Sequence, residues 1–368
     1  MPHKKPTLAL LGAGIFVRSD YVPCLRELSD IVTLRAIWSR SEKSAQSVAD
    51  LVKDFSPDVL VKWGEDGLKE IFLDESIDSV SIVLSATIQL EIVQRALEAG
   101  KHVLQEKPVG TCVSEVRDVF ATYKFLSSSG GKPIWAVAEN FRFETAMNEA
   151  ASWVKEIGEL TCVQVTAYCP MNEDSSYFES AKTSWRKDFE GGFPLDGGVH
   201  FVAATKMITG SGIKSVAAIV RHTDSRLPPP DTVETVLRFN NGFAGLLVMS
   251  WNGSLKAEVV WRVLGSKGEV RVELTTQNGK AGYQVQLIPV KGTDKKSNFH
   301  PISGVLEELR TFATDVSKFV FEGTDASSAD PRSSVEQAIN DVAVIEAIFK
   351  SSATMENFTQ VEELHLQP

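Results

Sequence analysis

Thr7-Leu8-Ala9-Leu10-Leu11-Gly12-Ala13-Gly14-Ile15-Phe16-Val17 runs from an apolar segment of strand length into a turn punctuated by two glycines. Gly12 permits the tight turn, and Gly14 allows a pyrophosphate to approach backbone N–H groups at a helix N-terminus. This is a G-x-G-x-x-x version of the dinucleotide fingerprint, with Gly12, Gly14, Ile15 and Phe16 as candidate cofactor contacts. Val17 stands where a third small residue is usual, so strand and helix are expected to sit slightly further apart there. The spacing alone is weak evidence. It gains meaning only between the first strand and first helix of an α/β unit, so the chain around it decides the reading.

That context is present. Val32–Trp38, Ser79–Leu84, Val103–Gln105 and Ile134–Ala138 are further short apolar runs bounded by turn residues, as strands require. Between them Ser41–Asp54, Ile88–Ala99 and Ser114–Leu126 have the composition of helices. Ile88, Ile92, Ala96 and Ala99 keep helical spacing, and Gly100 follows where a left-handed cap belongs. Strand and helix in alternation predict a doubly wound parallel Rossmann sheet over residues 1–140. Ser127–Pro133 reads as a flexible connection to its last strand.

Residues 141–368 have another pattern. A helix over about Glu144–Ile157 precedes strand-like runs at Thr161–Tyr168, Val216–Arg221, Thr232–Phe239, Gly245–Ser250, Val259–Leu264, Val270–Leu274 and Tyr283–Leu287. With Asn241-Gly242 and Asn278-Gly279 as turns, an α+β domain on a large, mostly antiparallel sheet is expected. Leu246-Leu247-Val248-Met249 is apolar at successive positions, so both sheet faces are expected to be covered, one of them by a second subunit. Helices over Val305–Phe321 and Ser334–Lys350 close the chain.

Composition narrows the function. The chain has 368 residues, 43% hydrophobic and 23% charged, which is ordinary for a globular protein of two domains. Thirty-eight basic against 48 acidic residues give a net charge of −10, with no long basic block, so nucleic acid is an unsuitable partner. Leu8–Val17 is far shorter than the roughly 20 residues of a membrane span and lacks a following cleavage site. Cys24, Cys112, Cys162 and Cys169 show neither C-x-x-C nor metal-ligand spacing, so a cytoplasmic setting and no metal are expected.

An NAD site places an acid at the end of the second strand, about 20 residues past the glycine loop. No acid occurs between Asp30 and Glu42. The strand ends instead in Ser39 and Arg40, whose hydroxyl and guanidinium suit a 2′-phosphate, so NADP is preferred to NAD.

Glu106-Lys107-Pro108 ends the strand before it, and Pro108 keeps Lys107 extended at the carboxyl end of a parallel strand, where open α/β sheets bind ligands. Here the sequence resembles the glucose-fructose oxidoreductase / inositol dehydrogenase (Gfo/Idh/MocA) family of NAD(P)-dependent oxidoreductases, whose signature is Glu-Lys-Pro. The resemblance extends to Leu195-Asp196-Gly197-Gly198-Val199-His200, where the family's D-x-x-x-H pattern falls on Asp196 and His200. It implies Lys107, Asp196 and His200 as catalytic residues, with Glu106 and Lys107 near the cofactor. Read as one helix, Asp196 and His200 share a face, with Asp196 near its N-terminal end. Asn140-Phe141-Arg142-Phe143 matches a family region that faces the substrate. Asn140 and Arg142 are therefore candidate substrate contacts, and so are Trp185 and Arg186 on the glycine-containing loop before Asp196, an aromatic and a guanidinium apt for a polyhydroxylated ring. The family often carries a His where this chain has Gln89.

The chemistry suits these residues. Oxidising a secondary alcohol needs a base for the hydroxyl proton, a role for His200, and a cation such as Lys107 to steady charge on the oxygen. Asp196 can orient a substrate hydroxyl or the imidazole. The expected protein is an NADP-dependent dehydrogenase or reductase of a sugar, polyol or cyclic diol, working as a homo-oligomer, a dimer. The alternative is a catalytically silent NAD(P)-binding regulator of the same fold.

Overall fold

A computed structural model describes residues 4–128, 133–291, 295–354 and 358–362. The connection expected at Ser127–Pro133 lies mostly outside them. The chain divides into two units, one holding the described residues up to Glu139 together with Val305–Ile339, the other Asn140–Gly304 and the described residues from Asn340 to Glu362.

In the first unit, β1 (Thr7–Leu11) leads through the glycine turn into a helix that begins at Ile15, passes through a π-helical segment, Val17–Tyr21, and continues as α1 (Val22–Glu27). Next come β2 (Thr33–Ser39), α2 (Glu42–Val52), β3 (Leu60–Trp63), α3 (Gly64–Leu73), β4 (Ser79–Ile82), α4 (Ala86–Glu98), β5 (His102–Glu106), α5 (Val113–Ser128) and β6 (Trp135–Ala138). The six strands form one parallel sheet in the order β3-β2-β1-β4-β5-β6. β4 and β5 are buried at every position, as central parallel strands with both faces covered must be, and β6 at the sheet edge is buried throughout as well. The strand order reverses between β1 and β4, which opens the ligand crevice of such folds beside the glycine turn. The π-helical segment starts at Val17, where the fingerprint lacks its small residue; Val17 is fully buried, and the extra residue in that turn widens the helix around it. Leu8, Leu10, Tyr21, Leu25, Ile37 and Val48 form the core with Leu309, Phe312 and Val316.

In the second unit, α6 (Thr145–Val154) precedes β7 (Leu160–Tyr168), α7 (Phe178–Thr183), α8 (Gly192–Asp196) and α9 (Gly198–Thr209). The strands β8 (Ile213–Arg221), β9 (Thr232–Phe239), β10 (Ala244–Ser250), β11 (Glu258–Gly265), β12 (Gly268–Gln277), β13 (Lys280–Pro289) and β14 (Lys296–Pro301) follow. The chain ends with α10 (Gly304–Glu322), α11 (Val335–Thr354) and the short β15 (Thr359–Gln360). The sheet runs β14-β13-β12-β11-β7-β10-β9-β8-β15 and is antiparallel apart from the parallel pair β7/β10. One face packs on α6 and α9. Within the single chain Gly245, Leu247 and Met249 of β10 are buried, whereas Leu246, on the face expected to meet a second subunit, is 45% exposed. Val236 and Ile219, also substantially exposed, lie on the neighbouring strands.

Candidate active site

Gly12 has a φ of +144°, and a Cβ there would lie 2.3 Å from the Val83 carbonyl oxygen. Only glycine lets the turn pass so close to the end of β4. Gly14 differs: a Cβ built on it meets nothing within 4 Å. The turn thus leaves open room at a helix start, with Ile15 and Phe16 as the first helical residues. That combination fits a dinucleotide pyrophosphate approaching the backbone.

At the end of β2, Ser39 is half-buried and Arg40 exposed, while the Ser41 hydroxyl caps α2 by accepting from the Ser44 N–H. Trp63 pairs with Ser39 across the sheet and is 45% exposed, a flat apolar surface beside the proposed phosphate-binding residues. Sequence reading missed it because the edge strand Leu60–Trp63 has no buried position.

Lys107, half-buried, follows β5, and its peptide to Pro108 is cis. The turn is braced from beneath by two glutamines. Gln89, fully buried, donates to the Pro108 carbonyl, and Gln105 donates to the Val109 carbonyl at 2.8 Å while accepting from the Trp135 indole at 3.0 Å. The residue standing in place of a histidine therefore has a job of its own, holding the turn that carries Lys107. Glu106 is buried and its carboxyl accepts the Tyr21 hydroxyl at 2.7 Å, so this side chain is engaged inside the unit. Burial pushes Glu106 up to about 7 against the opposing pull of Lys107 and Tyr21.

In the second unit Asp196 is the last residue of α8, and Gly197 separates it from α9. This corrects the expectation of an aspartate at a helix N-terminus. What holds Asp196 is Arg186, whose Nε donates to Oδ2 at 2.8 Å. Arg186 in turn lies 4.5 Å from the Trp185 ring centroid and 5.4 Å from that of Tyr177, so the guanidinium is clamped between a carboxylate and aromatic faces. Trp185 meets Phe189 edge-on at 5.1 Å. His200, in the first turn of α9, is stacked on Phe141 at 4.6 Å with the rings 17° apart. That contact fixes the imidazole plane, and sequence reading, which took Phe141 only as part of a segment, missed it.

Asn140, half-buried, opens a 3-10 turn whose carbonyl accepts the Phe143 N–H at 2.9 Å. Arg142 is a correction. It is 2% exposed and ion-paired with Asp341, which also accepts Lys206 Nζ at 2.9 Å. A guanidinium buried on a carboxylate serves as an internal brace and is removed from the substrate contacts. Among the described residues there is no cluster of three or more His, Cys, Asp or Glu able to hold a metal ion, and no helix is long and apolar enough to cross a membrane.

Residues 7–128 match the model of the oxidoreductase family with an NAD-binding Rossmann fold, and residues 149–271 match that of the GFO/IDH/MocA C-terminal domain. The chain belongs to the GFO/IDH/MocA family. It is similar to the dehydrogenase FPY6 of Fusarium mangiferae, at 29% identity over 94% of this chain and 96% of that one. It is also similar to D-xylose 1-dehydrogenase (NADP(+)) 2 of Haloferax volcanii, at 24% identity over 94% and 97%. Among solved structures, an oxidoreductase from Thermotoga maritima superposes with a TM-score of 0.75 at 27% identity, covering 95% of this chain and 97% of that one. This GFO/IDH/MocA protein is an NAD(P)-dependent oxidoreductase.

Proposed function

We propose that this chain transfers hydride between NADP and a secondary alcohol or carbonyl of a small polyhydroxylated substrate, a sugar, polyol or cyclic diol. The observation that carries the reading is Lys107 in Glu106-Lys107-Pro108 at the carboxyl end of β5, in the same unit as the open Gly12–Gly14 turn. When bound, the nicotinamide supplies the hydride acceptor or donor. The chain's residues supply the rest. His200, its ring plane fixed by Phe141, takes the hydroxyl proton in oxidation and returns it in reduction. The Lys107 ammonium donates a hydrogen bond to the reacting oxygen and steadies the negative charge that develops there. Asp196, tethered by Arg186, accepts from a neighbouring substrate hydroxyl. Trp185 offers an apolar face to the ring.

Ser39 and the exposed Arg40 support NADP, since no carboxylate ends β2 to meet a ribose diol. The name of the Haloferax relative agrees with this choice. We also read the exposed sheet face at Leu246, Val236 and Ile219 as the site of a second copy, giving a dimer. A reducing, cytoplasmic compartment suits Cys24, Cys112, Cys162 and Cys169, all free thiols. The test is incubation with NADP and D-xylose, inositol and simple polyols. Reduced nicotinamide absorbance that appears with one of them supports the reading. Tight NADP binding with no absorbance change across the panel, in either direction of reaction, counts against it.

A further inference from the structure

Tyr21 closes the π-helical segment, is fully buried, and donates its hydroxyl to Glu106 Oε1 at 2.7 Å. The backbone N–H of Lys107 is a second donor to the same carboxyl. A phenylalanine would fill the space equally well, so the phenol is there for its hydrogen bond. The surroundings are acidic: Glu139 acts on Glu106 and Glu308 acts on Tyr21, both glutamates being 2% exposed. The opposing charge on Glu106 is that of Lys107. A carboxyl so placed exchanges its proton near neutrality, where an oxidoreductase must also dispose of one.

We propose that Tyr21 is a positioning residue for Lys107: its hydroxyl anchors the Glu106 carboxyl, and the anchored carboxyl sets the field in which the Lys107 ammonium meets the reacting oxygen. This rests on the reading of Lys107 as the catalytic lysine. An ionised Glu106 sets a negative charge in the field of the Lys107 ammonium; a protonated one removes it. The Tyr21 hydrogen bond favours the ionised carboxylate, so removing it makes Glu106 keep its proton to higher pH.

The coupling is measurable without a substrate. The lysines are reductively methylated with a carbon-13 label, and the Lys107 resonance, assigned by its loss in Lys107→Arg, is followed against pH. In the wild type it carries an inflection at about 7, from Glu106. In Tyr21→Phe the inflection moves up by about half to one pH unit, the size of one net hydrogen bond. In Glu106→Gln it disappears. A Lys107 resonance that shows no inflection near neutrality, or one unmoved in a folded Tyr21→Phe, overturns the proposal. If Tyr21→Phe does not fold, persistence of the inflection in Glu106→Gln overturns it instead. Full turnover in Lys107→Ala would remove the catalytic reading beneath the proposal, and it is a separate assay, so the two failures are told apart.

Discussion

Gly12→Ala and Gly14→Ala, two residues apart, should fail in opposite ways. At Gly12 the new methyl would lie 2.3 Å from the Val83 carbonyl oxygen, at a φ of +144° that L-residues rarely adopt. Backbone strain of about 1–3 kcal/mol and a comparable cost of pushing β4 aside give a destabilisation on the order of 2–5 kcal/mol. At Gly14 the methyl meets nothing within 4 Å and φ is not positive. Stability should hold or rise by about 0.4–1 kcal/mol, through reduced entropy of the unfolded chain. The cost appears only with cofactor, because the methyl occupies the room through which the pyrophosphate reaches the backbone. Each charge-assisted hydrogen bond lost is about 1.5–3 kcal/mol, or ten- to hundredfold in affinity. Urea denaturation and calorimetric titration with NADP separate the two effects. A Gly14→Ala protein that binds NADP as the wild type does would refute the cradle; one as unstable as Gly12→Ala would refute the open space.

Replacing Arg40 by Ala should weaken NADP about ten- to hundredfold and leave NAD unchanged, by calorimetry with both cofactors; equal losses would make the end of β2 a mere scaffold. His102 is buried against Phe319, its Nδ1 accepts the Ile134 N–H at 3.0 Å, and burial pushes it down to about 4 from an ordinary 6.5. The unfolded chain therefore binds this proton and the folded one does not, so about 3 kcal/mol of stability is lost as pH falls from 6.5 to 4. Urea melts of wild type and His102→Asn across that range should diverge, whereas parallel curves would contradict the assignment. Light scattering at micromolar concentration should give a dimeric mass, and Leu246→Glu a monomer; a monomeric wild type would leave the exposed sheet face unexplained.

Five of the six Rossmann strands were legible because each is a short apolar run with its turn residues intact. β3 was missed because an edge strand of four half-buried or exposed residues, Leu60-Val61-Lys62-Trp63, carries no buried pattern. β14 was missed for the same reason: Lys296–Pro301 is an edge strand with no buried position, Phe299 alone being large and apolar. Asp196 and Arg186 were both singled out from sequence, but their pairing follows from the break at Gly197, which takes Asp196 out of the helix that carries His200. Arg142 could not be placed from local sequence at all: its partner, Asp341, is 199 residues away. The stack of Phe141 on His200 left no signal either, since an aromatic after Asn140 is equally apt for a core.

The central claim is that Lys107 and His200 carry out chemistry and do not merely hold ligands. It is tested most directly by steady-state turnover of wild type, Lys107→Ala and His200→Ala on the first panel substrate reduced or oxidised, with NADP affinity measured alongside. Each variant should lose about 10²-fold or more in kcat while NADP affinity stays within a few-fold of wild type. Near wild-type kcat in either variant would contradict the account.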